Sequence, residues 1–515
     1  MPTQNLIQSC RFLLAYALLG PLCVLAQSGV DVPPPSAAGT AEVGSEAPLV
    51  PETMESLLQD LKQRVDSVEA ENQSLRQRLD GLGAAPAKKD EGSPLDMKGV
   101  WKNGLEFTTK DKKFRVQVGG RVQFDGSFFD ASNAIQTGPD GIGPLLDGVD
   151  FRRARIKIDG TMYETIDWST QFDFVNSQNV DPTTPARQNS VANVAVPTDL
   201  WINFGKLPIV GNFRIGNFKE YIGFEHLTSS RFLNFMERSY NQDSFTGPFN
   251  NGFSQGFGFH NTYGEDENGT WGIGMFKNNS NGYAWGVGDG EYAVTGRATA
   301  LLLYEEEGEN LVHVGAAFSH RDTVNDQLRI RTRGSVRSGP PALWNVYANT
   351  GTMSANSQDL LAGEFVVVRG PWTLQSEYVA SIVDQVHIGG GQQGTAVFQG
   401  GYGEILYFLT GEHQHYEKKA AAFGRTIPHE NFSLADGDNC GGWGAWQAGV
   451  RYNFLDLDDA GVHGNTLKTV VFGLNWYLNP NTKVQWNYDI TKRTTFAAGG
   501  DGYIHAFGTR VAYDF

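Results

Sequence analysis

Cysteine is nearly absent: the 515 residues hold three. Cys10 and Cys23 fall in an N-terminal segment that reads as cleaved, so Cys440 stands alone in the mature chain and no intrachain disulfide can form. Its setting, DGDNCGG, reads as a loop thiol. Long apolar runs are scarce too, and a mean hydropathy of −0.34 excludes a polytopic helical membrane protein. Positive charge is in deficit, with 41 Lys and Arg against 57 Asp and Glu. The formal net charge of −16 argues against a general nucleic-acid binder. No Ser-His-Asp set or paired carboxylates stand out, so the chain does not read as an enzyme. GDGEY and GGGQQG lack the Lys-Ser/Thr and the βαβ setting of a phosphate loop. DGDNCGG and DLDDAG lack the twelve-residue ligand order of a calcium loop. His413 and His415 in EHQHYEKK share a strand face, but without Cys or a carboxylate cluster they read as surface loop. No cofactor and no metal are expected.

What the chain has in abundance is glycine, 62 residues, and aromatics, at 12%. It opens with a single Arg11, the apolar run FLLAYALLGPLCVLA (12–26) and small Ala26, the pattern of a secretory signal peptide, 1–26. A Pro/Ala-rich linker, 27–52, follows. Met54, Leu58, Leu61, Val65, Val68, Asn72, Leu75, Leu79 and Leu82 then alternate spacings of four and three. This predicts a coiled coil over 53–82, with Asn72 a candidate for fixing register. A second linker spans 83–99.

From residue 100 to 515 the period changes to two. In KFRVQVGGRVQFDGSFF (113–129), Phe114, Val116, Val118, Val122 and Phe124 share one face. Arg115, Gln117, Arg121, Gln123 and Asp125 share the other. TVVFGLNWYLNPNTKVQWNYDI (469–490) predicts a hairpin turning at NPNT. The chain ends TRVAYDF, with Tyr513, Val511, Thr509 and Phe507 on the face of Phe515. Alternating strands ending on an aromatic, behind an export signal, predict an all-β fold: a transmembrane antiparallel β-barrel of the outer membrane, preceded by a short N-terminal coiled-coil helix. A soluble sandwich, propeller or β-helix is the competing architecture.

One stretch is odd in so acidic a chain. QLRIRTRGSVR (327–337) sets Arg329, Arg331, Arg333 and Arg337 at odd positions, with the closest Cα atoms ~6.6 Å apart on a strand. Such a row needs an anion beside it. A row facing the lumen and an extracellular basic loop facing lipopolysaccharide phosphates are both open. In FRRARIKIDG, Arg153, Arg155 and Lys157 oppose Ala154, Ile156 and Ile158, and the orientation of Arg152 is undecided.

Ordered blocks over Gly104–Phe515 resemble the phosphate-selective porins O and P of Gram-negative outer membranes. The blocks are NGLEFTTKDKKFRVQVGGRVQFD, FRRARIKIDGTMYETIDW, FEHLTSSRFLNFMERS, RDTVNDQLRIRTRGSVR, YFLTGEHQHYEKK, GAWQAGVRYNF and FGLNWYLNP. The resemblance implies a homotrimer of about 16-stranded barrels in outer-membrane lipid, each narrowed by an inward loop. It implies a ladder of lumen arginines that passes phosphate or other small anions. Arg329, Arg331, Arg333 and Arg337 match that ladder, Arg121 a further lumen arginine, and Arg152 and Arg153 the central pair. Asp199 matches the central acid. Ser229, Ser230 and Arg231 fall on the constriction loop, and Arg238 on another pore arginine. Two positions depart: Arg231 replaces a lysine, and His226 stands for a lysine, making a permanent charge a titrating one. The expected function is passive uptake of phosphate or polyphosphate. A general or sugar-permeable porin, or a barrel-anchored structural protein, are the alternatives.

Overall fold

The computed structural model describes residues 54–83, 95–175, 195–247, 252–278, 290–339, 344–388, 391–434 and 441–515. The expected signal peptide, the linker 27–52, Cys440 and residues 84–94 of the second linker lie outside the described residues. The chain divides into two units, Met1–Glu91 and Gly92–Phe515. In the first, Met54–Gly83 forms one helix of 30 residues, α1. Leu61, Val65, Val68 and Leu75 of its heptad seam are exposed.

The second unit holds a closed barrel of sixteen antiparallel strands among the described residues. They are β1 Phe114–Ala131, β2 Gly148–Met162, β3 Ile166–Asp173, β4 Val196–Leu207, β5 Gly211–Lys219, β6 Phe253–Tyr263, β7 Gly269–Lys277 and β8 Tyr292–Glu305. The second half comprises β9 Asn310–Asp322, β10 Ser357–Arg369, β11 Trp372–Ile388, β12 Gly391–Phe408, β13 Ala445–Asp459, β14 Val462–Asn479, β15 Thr482–Thr494 and β16 Gly502–Asp514. β16 pairs back onto β1, from Ile504↔Ala131 to Asp514↔Arg121, so no edge is left open. Closure matters because hydrocarbon offers no water to a free N–H or C=O. No described helix is long and apolar enough to cross a membrane. A hairpin, Met97–Trp101 with Leu105–Thr109, pairs with the first residues of β1.

The expected hairpin over 469–490 forms in the expected register, with Phe472↔Tyr488, Leu474↔Trp486 and Trp476↔Val484. Outward aromatics gather toward the two rims. At the turn end Trp446 stacks on Trp476 at 5.1 Å and Trp372 meets Tyr407 at 4.5 Å. Nearer the other end Phe128 stacks on Phe507 at 6.2 Å. A polar inner face matches the expectation on β1 to β4 but fails toward the loop end of β11 to β14. There Val379, Val383, Phe398, Leu455 and Leu467 point inward and are buried. The cause is packing: Tyr240 and Phe245 of the β5–β6 connection, with Ile330 and Tyr347 of the β9–β10 connection, cover them. Two loops therefore fill part of the lumen.

Most connections at the turn end are short, but that from β12 to β13 (409–444) is long. Its ribbon, Tyr416–Glu417 with Ala422–Phe423, enters the barrel. Phe423 packs edge-on against Phe224 at 4.8 Å, and the Ala421 carbonyl accepts from Arg297 Nη2 of β8 at 2.8 Å.

The C-terminal residue is fixed at the seam. The Gly120 amide donates to the Phe515 carbonyl at 2.7 Å, and the Phe515 amide donates to Gly120 at 3.1 Å. A Cβ on Gly120 would lie 2.7 Å from the Arg155 carbonyl and 2.8 Å from the Phe515 ring. Gly120→Val is expected to cost about 1–3 kcal/mol of overpacking. The readout is the temperature at which the folded band disappears from unheated gels, which should fall; an unchanged value would mean the seam has room to spare.

Candidate functional site

The site begins where the β5–β6 connection turns into the barrel. Gly223 has φ 70, and a Cβ there would meet Glu377 Oε2 at 2.9 Å. Only glycine takes that conformation without strain. The turn presents the amides of Phe224 and Glu225 to the Glu377 carboxylate of β11, at 2.9 and 2.7 Å. Farther along, Tyr240 Oη lies 2.6 Å from Thr469 Oγ1 on β14, and the Asn234 carbonyl accepts from Asn475 Nδ2 at 2.7 Å. The loop thus crosses to the opposite wall.

Crossing brings Ser229 and Ser230 against β1. Arg121 Nη1 donates to Ser230 Oγ at 2.7 Å and to Ser229 Oγ at 3.3 Å, and its Nη2 donates to Gln171 of β3 at 3.0 Å. Arg231 Nε approaches Ser229 Oγ at 3.4 Å, while its Nη1 reaches Asp514 at 3.4 Å. Asp514 also takes Arg425 from the β12–β13 connection. Arg238 donates to the carbonyls of Glu225 and Thr228, at 2.7 and 2.5 Å. Lys219, at the end of β5, donates to the carbonyls of His226 and Thr228. Asp199 on β4 accepts from Trp201 Nε1 at 3.2 Å, and Arg214 lies over that indole at 4.1 Å.

Arg121, Arg153, Asp199, Ser229, Ser230, Arg231 and Arg238 all line one cavity of about 800 Å³. Its wall carries eleven Lys and Arg against four Asp and Glu. Part of that excess is balanced by acids behind the wall: Arg153 pairs with Glu237, Arg155 with Asp173, Lys157 with Asp159, Arg231 with Asp514 and Arg297 with Glu364.

Arg152 and Arg153 both point inward because of a bulge. The β1–β2 register passes from Gln123↔Arg153 to Phe124↔Phe151, leaving Arg152 as the extra residue. Their exposures are 2% and 3%, and both bond Glu237.

The arginine row lies on a loop rather than on a wall strand. Within 329–337 the strand residues are Arg331–Arg333, paired with Val346–Asn349 in a small ribbon of the β9–β10 connection. Alternation still applies locally: Ile330 and Thr332 are buried, whereas Arg329 and Arg331 are exposed. Arg329 donates to Asn349 at 2.8 Å. The loop descends until Ser127 of β1 donates to the Arg337 carbonyl at 2.7 Å. Arg333 grips Asp243 of the β5–β6 connection, and Arg337 Nη2 is 3.8 Å from the same carboxylate. Burial would raise the Asp243 carboxyl, but the two guanidiniums outweigh it and hold it below its usual range. Trp344 has three guanidiniums over its ring: Arg152 at 4.6 Å, Arg337 at 4.8 Å and Arg333 at 4.9 Å.

His226 is not brought to the cavity wall. It is 2% exposed, with Nδ1 2.7 Å from Gln242 Oε1. Burial first, then the Lys219 ammonium, pushes it well below 6.5, so it stays neutral near neutrality. Sequence reasoning also missed Lys219, Glu237, Asp243 and Arg510. Parity counted back from Phe515 points Arg510 inward and could have found it. Nothing in FMERS marks Glu237.

A sealed barrel with aromatic rims, infolded loops and a basic cavity defines the class of outer-membrane channels. A family model described as phosphate-selective porin O and P matches residues 96–515, and the chain belongs to that family. It is 26% identical to Porin O of Pseudomonas aeruginosa over 440 residues, covering 80% of this chain and 91% of that one. It is 25% identical over 529 residues to an uncharacterised protein of Caulobacter vibrioides, with 98% and 95% covered. Among solved structures, it resembles the outer membrane channel DcaP of Acinetobacter baumannii, with TM-score 0.45, 11% identity and 79% and 99% covered. It also resembles Salmonella typhi OmpF in complex with daunomycin, with TM-score 0.44, 14% identity and 81% and 100% covered. The protein is a porin of the Gram-negative outer membrane.

A neutral His226 adds no titrating charge to the pore. The reversal potential under a KCl gradient is therefore expected to be the same at pH 8 and pH 6.5. A change in anion preference centred near pH 6.5 that disappears in His226→Gln would return His226 to the pathway. The folded state binds this proton less readily than the unfolded chain does. The stability of the infolded loop should accordingly fall as pH drops below about 6.5.

Proposed function

We propose that the protein is a passive, anion-selective porin, assembled as a homotrimer, with phosphate or polyphosphate as its favoured solute. One observation carries this reading: Arg121, Arg231, Ser229 and Ser230 converge on a cavity whose wall has a surplus of cations. Two guanidinium forks and two hydroxyls suit a tetrahedral oxyanion better than a spherical halide. Arg329 and Arg331, exposed on the β9–β10 connection, receive the anion, and the basic cavity draws it onward. Each site has to bind weakly enough to release its anion to the next. Lys219 supplies an ammonium at the His226 carbonyl, so the lysine replaced by His226 is partly made good by a neighbour. A general porin is the second reading. It is favoured by the pairing of the central guanidiniums with Glu237 and Asp243.

The test is the reversal potential of purified protein in a planar bilayer under a KCl gradient, then titration of the chloride current with phosphate. Anion selectivity with block by phosphate is expected, and cation selectivity would overturn the reading. A hydrogen bond to a charged group contributes about 1.5–3 kcal/mol. Arg121→Ala should therefore raise the half-blocking phosphate concentration by about tenfold to a hundredfold.

The exposed seam of α1 fits a coiled coil that strengthens the trimer. Deleting residues 54–83 should lower the temperature at which the trimer band is lost on unheated gels; an unaltered band would discard that role.

A further inference from the structure

Glu237 presents one carboxylate to three guanidiniums. Arg152 approaches as a fork, Nε to Oε1 at 2.8 Å and Nη2 to Oε2 at 2.9 Å. Arg153 Nη2 stands 3.3 Å from Oε2 and Arg510 Nη2 2.9 Å from Oε1. All four side chains are buried. Asp125 takes Arg510 through two further contacts at 2.7 and 2.6 Å. Three guanidiniums thus converge on the one Glu237 carboxylate, and Asp125 braces the third of them from behind.

The loop's other acids are balanced differently. Glu220 pairs with Arg321 at 2.8 Å, Glu225 shares Arg451 with Glu404, and Asp243 meets Arg333 and Arg337, neither of which lines the cavity. Among the loop's described acids Glu237 alone takes three guanidiniums, and one of them, Arg153, also lines the cavity.

We propose that Glu237 is a tethered competitor: its carboxylate occupies an oxyanion site formed by Arg152, Arg153 and Arg510, and sets how tightly the pore holds a phosphate or similar tetrahedral oxyanion. The inference rests on the anion-porin reading and adds a specificity-determining residue to it. A carboxylate and a phosphate present the same paired oxygens to a guanidinium fork. Three bare arginines would hold such an anion too tightly to pass it on. A carboxylate on the loop is always present at high effective concentration. It reclaims the arginines as the solute moves, so that binding stays weak and transit continues.

The experiment compares wild type with Glu237→Gln in the full-length protein, using inorganic phosphate against a KCl background. The glutamine keeps the shape and removes the competing charge. Half-block is expected at a phosphate concentration about tenfold lower than in wild type. Phosphate is also expected to raise the unfolding temperature of the variant more than that of wild type. An anion-selective wild type with unchanged half-block in the variant overturns this inference alone; a cation-selective wild type overturns the porin reading beneath it. Should the variant fail to fold in chloride, it is refolded in phosphate and in chloride at equal ionic strength. Recovery only in phosphate supports an anion nest. Equal recovery in both, or in neither, overturns it.

Discussion

A guanidinium buried inside a barrel needs a partner, and that requirement organises this lumen. Leaving one member of a buried ion pair alone costs about 3–5 kcal/mol. Glu220, Glu225, Glu237 and Asp243 all sit on the β5–β6 connection, and each meets arginine on another segment. Their partners come from β9, β13, β2, β16 and the β9–β10 connection. The path of the infolded loop is therefore fixed by where the wall places its cations. The apolar cluster around Tyr240, Phe245, Ile330 and Tyr347 fills the space beside those pairs.

The distribution of charge, rather than its sum, decides what the pore meets. The chain's net charge is −16, yet the cavity wall is basic. Acids such as Glu265, Asp266, Glu306 and Glu307 are exposed on short turns. Over about 10 Å in 0.1 M salt their field is screened by solvent ions. Enclosed charges on low-dielectric walls are screened far less.

Much of the barrel was legible because alternation is a local signal. The 469–490 hairpin, the outward face of β16 and the inward Arg121 all follow from counting residues in twos. The bulge at Arg152 escaped, since an extra residue depends on the partner strand's register and not on the strand's own sequence. The row 329–337 has strand-like spacing, but a longer loop carries it inward, and loop paths depend on distant contacts such as Asp243. His226 looked like a titrating pore residue from its position in FEHL; burial against Gln242 and Lys219 decided otherwise. Glu237 was invisible for the same reason as its three arginines were only partly visible: the nest joins β2, β16 and a loop between β5 and β6, and no local pattern links them.

The seam between β1 and β16 has a bearing on assembly. Arg121 stands opposite Asp514 across it, and Arg231 and Arg425 both reach that same carboxylate. The groups that would select a solute are thus drawn from the first strand, the last strand and two connections between them. A chain with every other strand paired but its two ends apart would be wide, leaky and without preference. Discrimination arrives only with the final stitch.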